Sequence, residues 1–157
     1  MKKTLCAAAL AAALGWGAAA QADDGVIRIG FITDMSGLSA DADGPGGAEA
    51  IKMAIADFGG SVAGKKIEVL VADHQNRADI ASSRAREWLD QKGVNMLIAG
   101  ANSAAALAMA KVAEEKKTPF FVVSAGASEL TNSQCTPYTV HYVYDTVSLA
   151  RGTARAM

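Results

Sequence analysis

Asn102 and Ser103 are the residues of this sequence best placed to hold a ligand. They follow a short apolar run, Met96–Ala99, that reads as a strand buried on both faces and is stopped by Gly100. An Ala-rich stretch, Ala104–Lys117, comes next and has the composition of a strong helix former. At the start of such a helix Ser103 fits the N-cap, its hydroxyl accepting a backbone N–H. The remaining free N–H groups and the positive helix end then face whatever lies above the strand's carboxyl end, a setting suited to a carboxylate. A second small turn, Ser124–Ser128 (SAGAS), follows the apolar run that begins at Pro119. Its Ser124 and Ser128 hydroxyls and glycine-loosened backbone offer the same chemistry. Tyr144 closes another strand pattern, Thr139–Tyr144, at a point where its ring can stack on or hydrogen-bond a ligand. Asp145 after it reads as the N-cap of a last helix.

Other chemistries find little support. His74 and His141 lack the spacing of a metal site and read as structural or solvated histidines. The run Gly44-Pro45-Gly46-Gly47-Ala48-Glu49 departs from a dinucleotide fingerprint, because Glu49 stands where the third glycine belongs. No Gly-x-Ser-x-Gly nucleophile elbow occurs. The reading therefore contains no catalytic residue, no metal site and no cofactor.

The elements that must position these turns alternate along the chain. Val26–Thr33 is a strand, followed by a long Gly/Asp/Ser-rich loop, Asp34–Gly47, too polar to pack. Ala48–Phe58 is a helix, with Ile51, Ile55 and Phe58 on one face. A surface connection leads to a second strand, Lys66–Ala72, and then a helix, Asp79–Gln91, whose Ala81, Ala85, Trp88 and Leu89 share a face. The Met96–Ala99 strand, the Ala-rich helix, the Pro119–Val123 strand, the Thr139–Tyr144 strand and a helix from Thr146 complete the series. Five strands alternating with helices predict an α/β fold with a doubly wound parallel sheet. In such sheets ligands sit beyond the carboxyl ends of the strands, where all the Gly-, Ser- and Asn-rich turns lie.

Residues 1–22 read as a cleavable signal peptide. Lys2 and Lys3 precede an apolar stretch, Leu5–Leu14, and Ala20-Gln21-Ala22 forms the cleavage pattern before Asp23. The mature chain, residues 23–157, is then exported. Of the 15 basic residues two lie in the leader, which leaves 13 against 16 acidic ones and no basic stripe for nucleic acid. Cys135 is the one cysteine after the leader, and in an oxidising compartment it is expected to pair with a cysteine beyond Met157.

With these residues placed, the sequence resembles the type I periplasmic substrate-binding proteins of ABC transporters, the leucine/isoleucine/valine-binding family. The matching pieces are Ile27–Gly37 (IRIGFITDMSG), Gly44–Gly59 (GPGGAEAIKMAIADFG), Ile98–Lys117 (IAGANSAAALAMAKVAEEKK) and Val122–Thr131 (VVSAGASELT). The tail, Cys135–Gly152, is similar to members that bind aromatic or related small acids. The resemblance implies two α/β lobes closing over a ligand, of which 23–157 is most of the first. It implies ligand contacts from Asn102, Ser103, Ser124, Ala127 and Ser128. It also implies a small carboxylate ligand (an amino acid or aromatic acid), a membrane permease as partner, a monomer and a periplasmic location. A ligand-sensing lobe of a receptor or regulator with the same fold is the alternative.

Overall fold

The computed structural model describes residues 24–157, so the expected leader lies outside the described residues. Six strands form one sheet: β1 (Val26–Thr33), β2 (Ser61–Val62), β3 (Lys65–Asp73), β4 (Val94–Ala99), β5 (Phe120–Val122) and β6 (Thr139–His141). Their spatial order is β2-β3-β1-β4-β5-β6, and every pairing is parallel except β2 with β3. Five helices accompany them: α1 (Ala40–Asp43), α2 (Pro45–Asp57), α3 (Ala78–Gln91), α4 (Ser103–Lys116) and α5 (Thr146–Ala156). The chain leaves β1 toward β3 on one side and returns to β4 on the other. The switch in strand order therefore falls between β1 and β4.

Alternate residues of a strand point to opposite faces, and β1 shows which helices cover which face. A side chain at Gly30 would meet the Trp88 ring of α3, whereas Phe31 lies against Gly47 of α2. Helices thus cover both faces, as expected for a doubly wound sheet. The core lies mainly on the α3–α4 side, where Ile32, Leu97, Phe120, Val122, Trp88 and Met109 pack with a bed of buried alanines. Small residues let α3 and α4 approach one another closely. The opposite face is thinner: Ala48 is the buried residue of α2, and Phe58 at its end is exposed.

Two expectations are corrected. The segment 34–47 is not a loop too polar to pack. Asp34 is fully buried, its carboxylate accepts the amides of Gly37 (2.8 Å) and Ser39 (2.9 Å), and the polarity is consumed inside the turn that leads into α1. With Pro45 at its first turn, α2 begins earlier than the apolar pattern suggests. The surface connection after α2 holds a short antiparallel hairpin, β2–β3, turned by Ala63 and Gly64 at φ 49° and 76°. Cys135 is exposed, with no disulfide among the described residues.

The tight seat of Trp88 over β1 has a measurable consequence. A Cβ at Gly30 would stand 2.8 Å from Trp88 Cε3 and 3.0 Å from Leu97 Cδ2. Gly30→Ala should destabilise the full-length protein by about 1–3 kcal/mol through overpacking. A urea midpoint unchanged from wild type would show that α3 can move off the sheet freely.

Candidate functional site

The carboxyl edge of the sheet is built from turns whose amides have left the ladder and need new acceptors. On the β1–β3 half these acceptors are carboxylates. Asp34 organises its own loop, as described. Asp73 receives the amides of Met35 (3.0 Å) and Gln75 (2.7 Å) and the hydroxyl of Ser36 (2.5 Å), so it ties the β1 loop to the β3 turn. Burial pushes its carboxyl up, but these three donors outweigh it and leave Asp73 below the ordinary carboxylate range. At the switch between β1 and β4, Thr33 Oγ1 donates to Asp43 Oδ1 at 2.8 Å over Gly100. A side chain at Gly100 would overlap that hydroxyl, so only glycine lets the β4 turn pass beneath. Asp43 Oδ2 is buried and has no partner among the described residues.

On the β4 turn the acceptor is a neutral side chain. Asn102, not Ser103, is the N-cap of α4: its Oδ1 accepts the Ala105 amide at 2.8 Å, and its carbonyl accepts that of Ala106 at 2.9 Å. Asparagine is at least as good a cap as serine, which is why it takes the role one residue earlier. Ser103 therefore moves to the first helical position, where its hydroxyl has no partner among the described residues. The Ser103 and Ala104 amides likewise have no backbone acceptor among the described residues.

The neighbouring turn follows β5, in register with β4 through Ala99 and Val122. Ser124 is half-buried there, its hydroxyl likewise without a partner among the described residues. The Ala127 methyl belongs to the core, which leaves only its backbone for the edge. Ser128 opens a 3-10 turn, Ser128–Leu130, and its carbonyl accepts the Asn132 side-chain amide at 2.8 Å.

Tyr144 does not end a strand. β6 stops at His141 because its neighbour, β5, ends at Val122; the Tyr142 amide donates to the Val122 carbonyl, and the chain then leaves the sheet. Tyr144 is about half-exposed, with its ring edge over Gly126, so it does reach the β5 turn. Asp145 caps α5 as expected, in a reciprocal arrangement with Ser148. The structure thus brings Asn102, Ser103, Ser124, Ala127, Ser128 and Tyr144 to adjoining turns of one edge. The groove on the outer face of α3, lined by Ser82, Arg86 and Asp90, lies among surface ion pairs such as Arg86–Glu115 and is unrelated to that edge.

Both histidines serve the backbone. His141 Nε2 lies 2.7 Å from the Ala125 carbonyl, and His74, 1% exposed, accepts the Asn76 amide on Nδ1 at 3.0 Å. Sequence reasoning passed over Asn76. The signal was present in the polar run Asp73-His74-Gln75-Asn76, directly after a strand.

Burial lowers the His74 pKa below its ordinary value, against the opposing pull of Asp34, Asp73 and Asp43 around it. The unfolded chain then takes up this proton first as pH falls, so stability is full above roughly pH 6.5 and declines below it. The Asp73 carboxylate keeps its stabilising effect down to about pH 4, outside this window. Between pH 7.5 and 5.5 the melting temperature of the full-length protein should fall less for His74→Asn, whose Oδ1 replaces the Nδ1 acceptor, than for wild type. Equal slopes would show that His74 does not set this dependence.

Comparison with known proteins fits this geometry. The profile of the periplasmic binding protein family matches residues 26–157. A periplasmic binding protein from Burkholderia mallei is 65% identical with a TM-score of 0.82, over 83% of this chain and 35% of its own. A branched-chain amino acid ABC transporter periplasmic ligand-binding protein from Burkholderia xenovorans is 34% identical (TM-score 0.79, 83% of this chain, 35% of its own). An ABC-transporter solute-binding protein from Rhodopseudomonas palustris, in complex with 3,4-dihydroxybenzoic acid, is 34% identical (TM-score 0.69, 78% and 33%). A search of curated proteins finds no match. The chain spans about a third of the length of these solved structures. Its sheet order, its likeness to these structures and its profile match together assign it to the periplasmic binding protein family.

Proposed function

We propose that this chain is the amino-terminal lobe, residues 23–157, of the extracytoplasmic solute-binding component of an ABC importer. It is delivered to the periplasm by a cleaved leader, residues 1–22. The ligand is a small carboxylate, an amino acid or an aromatic acid, held in the cleft between this lobe and a second one. A membrane permease receives it from a monomeric binding protein that performs no catalysis. The Rhodopseudomonas relative with its dihydroxybenzoic acid supports an aromatic acid, and the Burkholderia xenovorans relative supports an amino acid.

One observation carries the reading. Asn102 has taken over the cap of α4, which leaves the Ser103 hydroxyl and the Ser103 and Ala104 amides open at the positive end of a 14-residue helix. The ligand carboxylate sits there, with Ser124, the Ala127 backbone, Ser128 and Tyr144 alongside. Asp43 and the other carboxylates of the β1–β3 half repel an anion from the opposite side. A carboxylate ligand is therefore oriented with its anionic end over β4 and β5.

Hydrogen bonds to a charged partner contribute roughly 1.5–3 kcal/mol each. Ser103→Ala in the full-length protein should weaken binding about 10- to 100-fold. The ligand-free melting temperature should hardly move, since the cap belongs to Asn102. Calorimetry with 3,4-dihydroxybenzoate, benzoate and leucine finds the ligand class. An unchanged dissociation constant for Ser103→Ala would remove Ser103 from the site.

A further inference from the structure

The turn between β3 and α3 lies beside the turn of the ligand site, and its geometry is costly. Gln75 and Asn76 both stand in the left-handed region, at φ 51° and 58°, which asparagine tolerates but glutamine does not favour. Three bonds hold the turn there. Asp73 takes the Gln75 amide at 2.7 Å, buried His74 takes the Asn76 amide on Nδ1 at 3.0 Å, and the His74 carbonyl takes the Arg77 amide at 2.8 Å. The product of this arrangement is an acceptor pair aimed at the next turn. Asn102 Nδ2 donates to Asn76 Oδ1 and lies 3.4 Å from the Asn76 carbonyl. The other end of the same amide, Asn102 Oδ1, caps Ala105. One planar group is thereby fixed at both ends, and with it the direction in which Ser103 and the first amides of α4 point.

We propose that Asn76 is a positioning residue for ligand binding: it holds the Asn102 amide so that the Ser103 end of α4 is preorganised, without itself touching the ligand. This rests on the ligand site proposed above. The strain at residues 75–76 is then offset by a turn that presents its acceptors to Asn102 in one orientation. Preorganisation of this kind appears as affinity, because a turn that must be ordered on binding lowers it.

The test uses the full-length protein with 3,4-dihydroxybenzoate as probe, and hydrogen exchange at the Ala105 and Ala106 amides as a readout that needs no ligand. Asn76→Gly removes the acceptor side chain while relieving the positive φ. Asn76→Asp keeps the acceptor. Asn102→Ser keeps the cap and removes the bridging amide. Asn76→Gly should weaken the probe roughly three- to tenfold and speed exchange at the first turn of α4, whereas Asn76→Asp keeps wild-type exchange there, its added charge weakening only the anionic probe. The Asn76→Gly/Asn102→Ser double variant should lose no more than Asn102→Ser alone, since both remove one bond. Additive losses would overturn the proposal, and so would unchanged affinity and exchange in Asn76→Gly. Exchange at the first turn of α4 as fast in Asn76→Asp as in Asn76→Gly would also overturn it. Ser103→Ala separates the two readings. If it weakens the probe while Asn76→Gly does not, the site stands and the positioning role falls; if it leaves the probe unaffected, the site itself falls.

Discussion

A backbone amide that leaves a sheet must find another acceptor, and this lobe meets that demand with a few short side chains at one edge. Asp73 is the centre of the arrangement, since its two oxygens join the loop after β1 to the turn after β3. Asp34 does the same within its own loop, and Asn102 does it for α4. A buried amide without a partner costs about 1–3 kcal/mol, so these residues determine which turn shapes are available at all. The turns in question make up the carboxyl edge of the sheet, on which the candidate site lies. The fold's need for satisfied amides thereby shapes that edge.

The edge is also polarised along the sheet. Three aspartates and a buried histidine surround the β1–β3 turns, while the Asn102 amide and the Ser103 and Ser124 hydroxyls face the β4 and β5 turns, with Glu129 and Asp145 farther along the latter. Asp34 and Asp73 spend both oxygens on internal donors, so their charge acts at a distance rather than by contact. Asp43 differs in keeping one oxygen unpartnered at the switch between β1 and β4. This asymmetry follows from which turns need acceptors and which helix starts need caps, and it gives the edge a direction.

The sheet and its helices were legible in the sequence because their signals are local. Apolar runs at Val26–Thr33 and Met96–Ala99 and the face Ala81, Ala85, Trp88, Leu89 reflect burial that recurs with strand or helix period. Hairpin β2–β3 was not, since two residues carry no period. Asn102 and Ser103 were legible as a pair but not in their division of labour, because both are good caps and only the neighbouring turn decides between them. Asn76 was legible only as one residue of a polar turn, not in its role, because its partner is 26 residues away in sequence. Tyr144 was misplaced because its alternating pattern continues past the end of β5, and a strand extends only as far as its neighbour.

Among the described residues β1 is the first strand, and it lies in the middle of the sheet, paired on both sides with strands that come later. Val26 meets Lys66, and Phe31 meets Ile98. Such long loops must close before their contacts return any stabilisation, which slows assembly. As the chain is synthesised, the amino-terminal strand therefore remains without either neighbour until β3 has been made, and without its second until β4 has followed. The centre of the sheet cannot be completed by a nascent segment that stops short of Ala99.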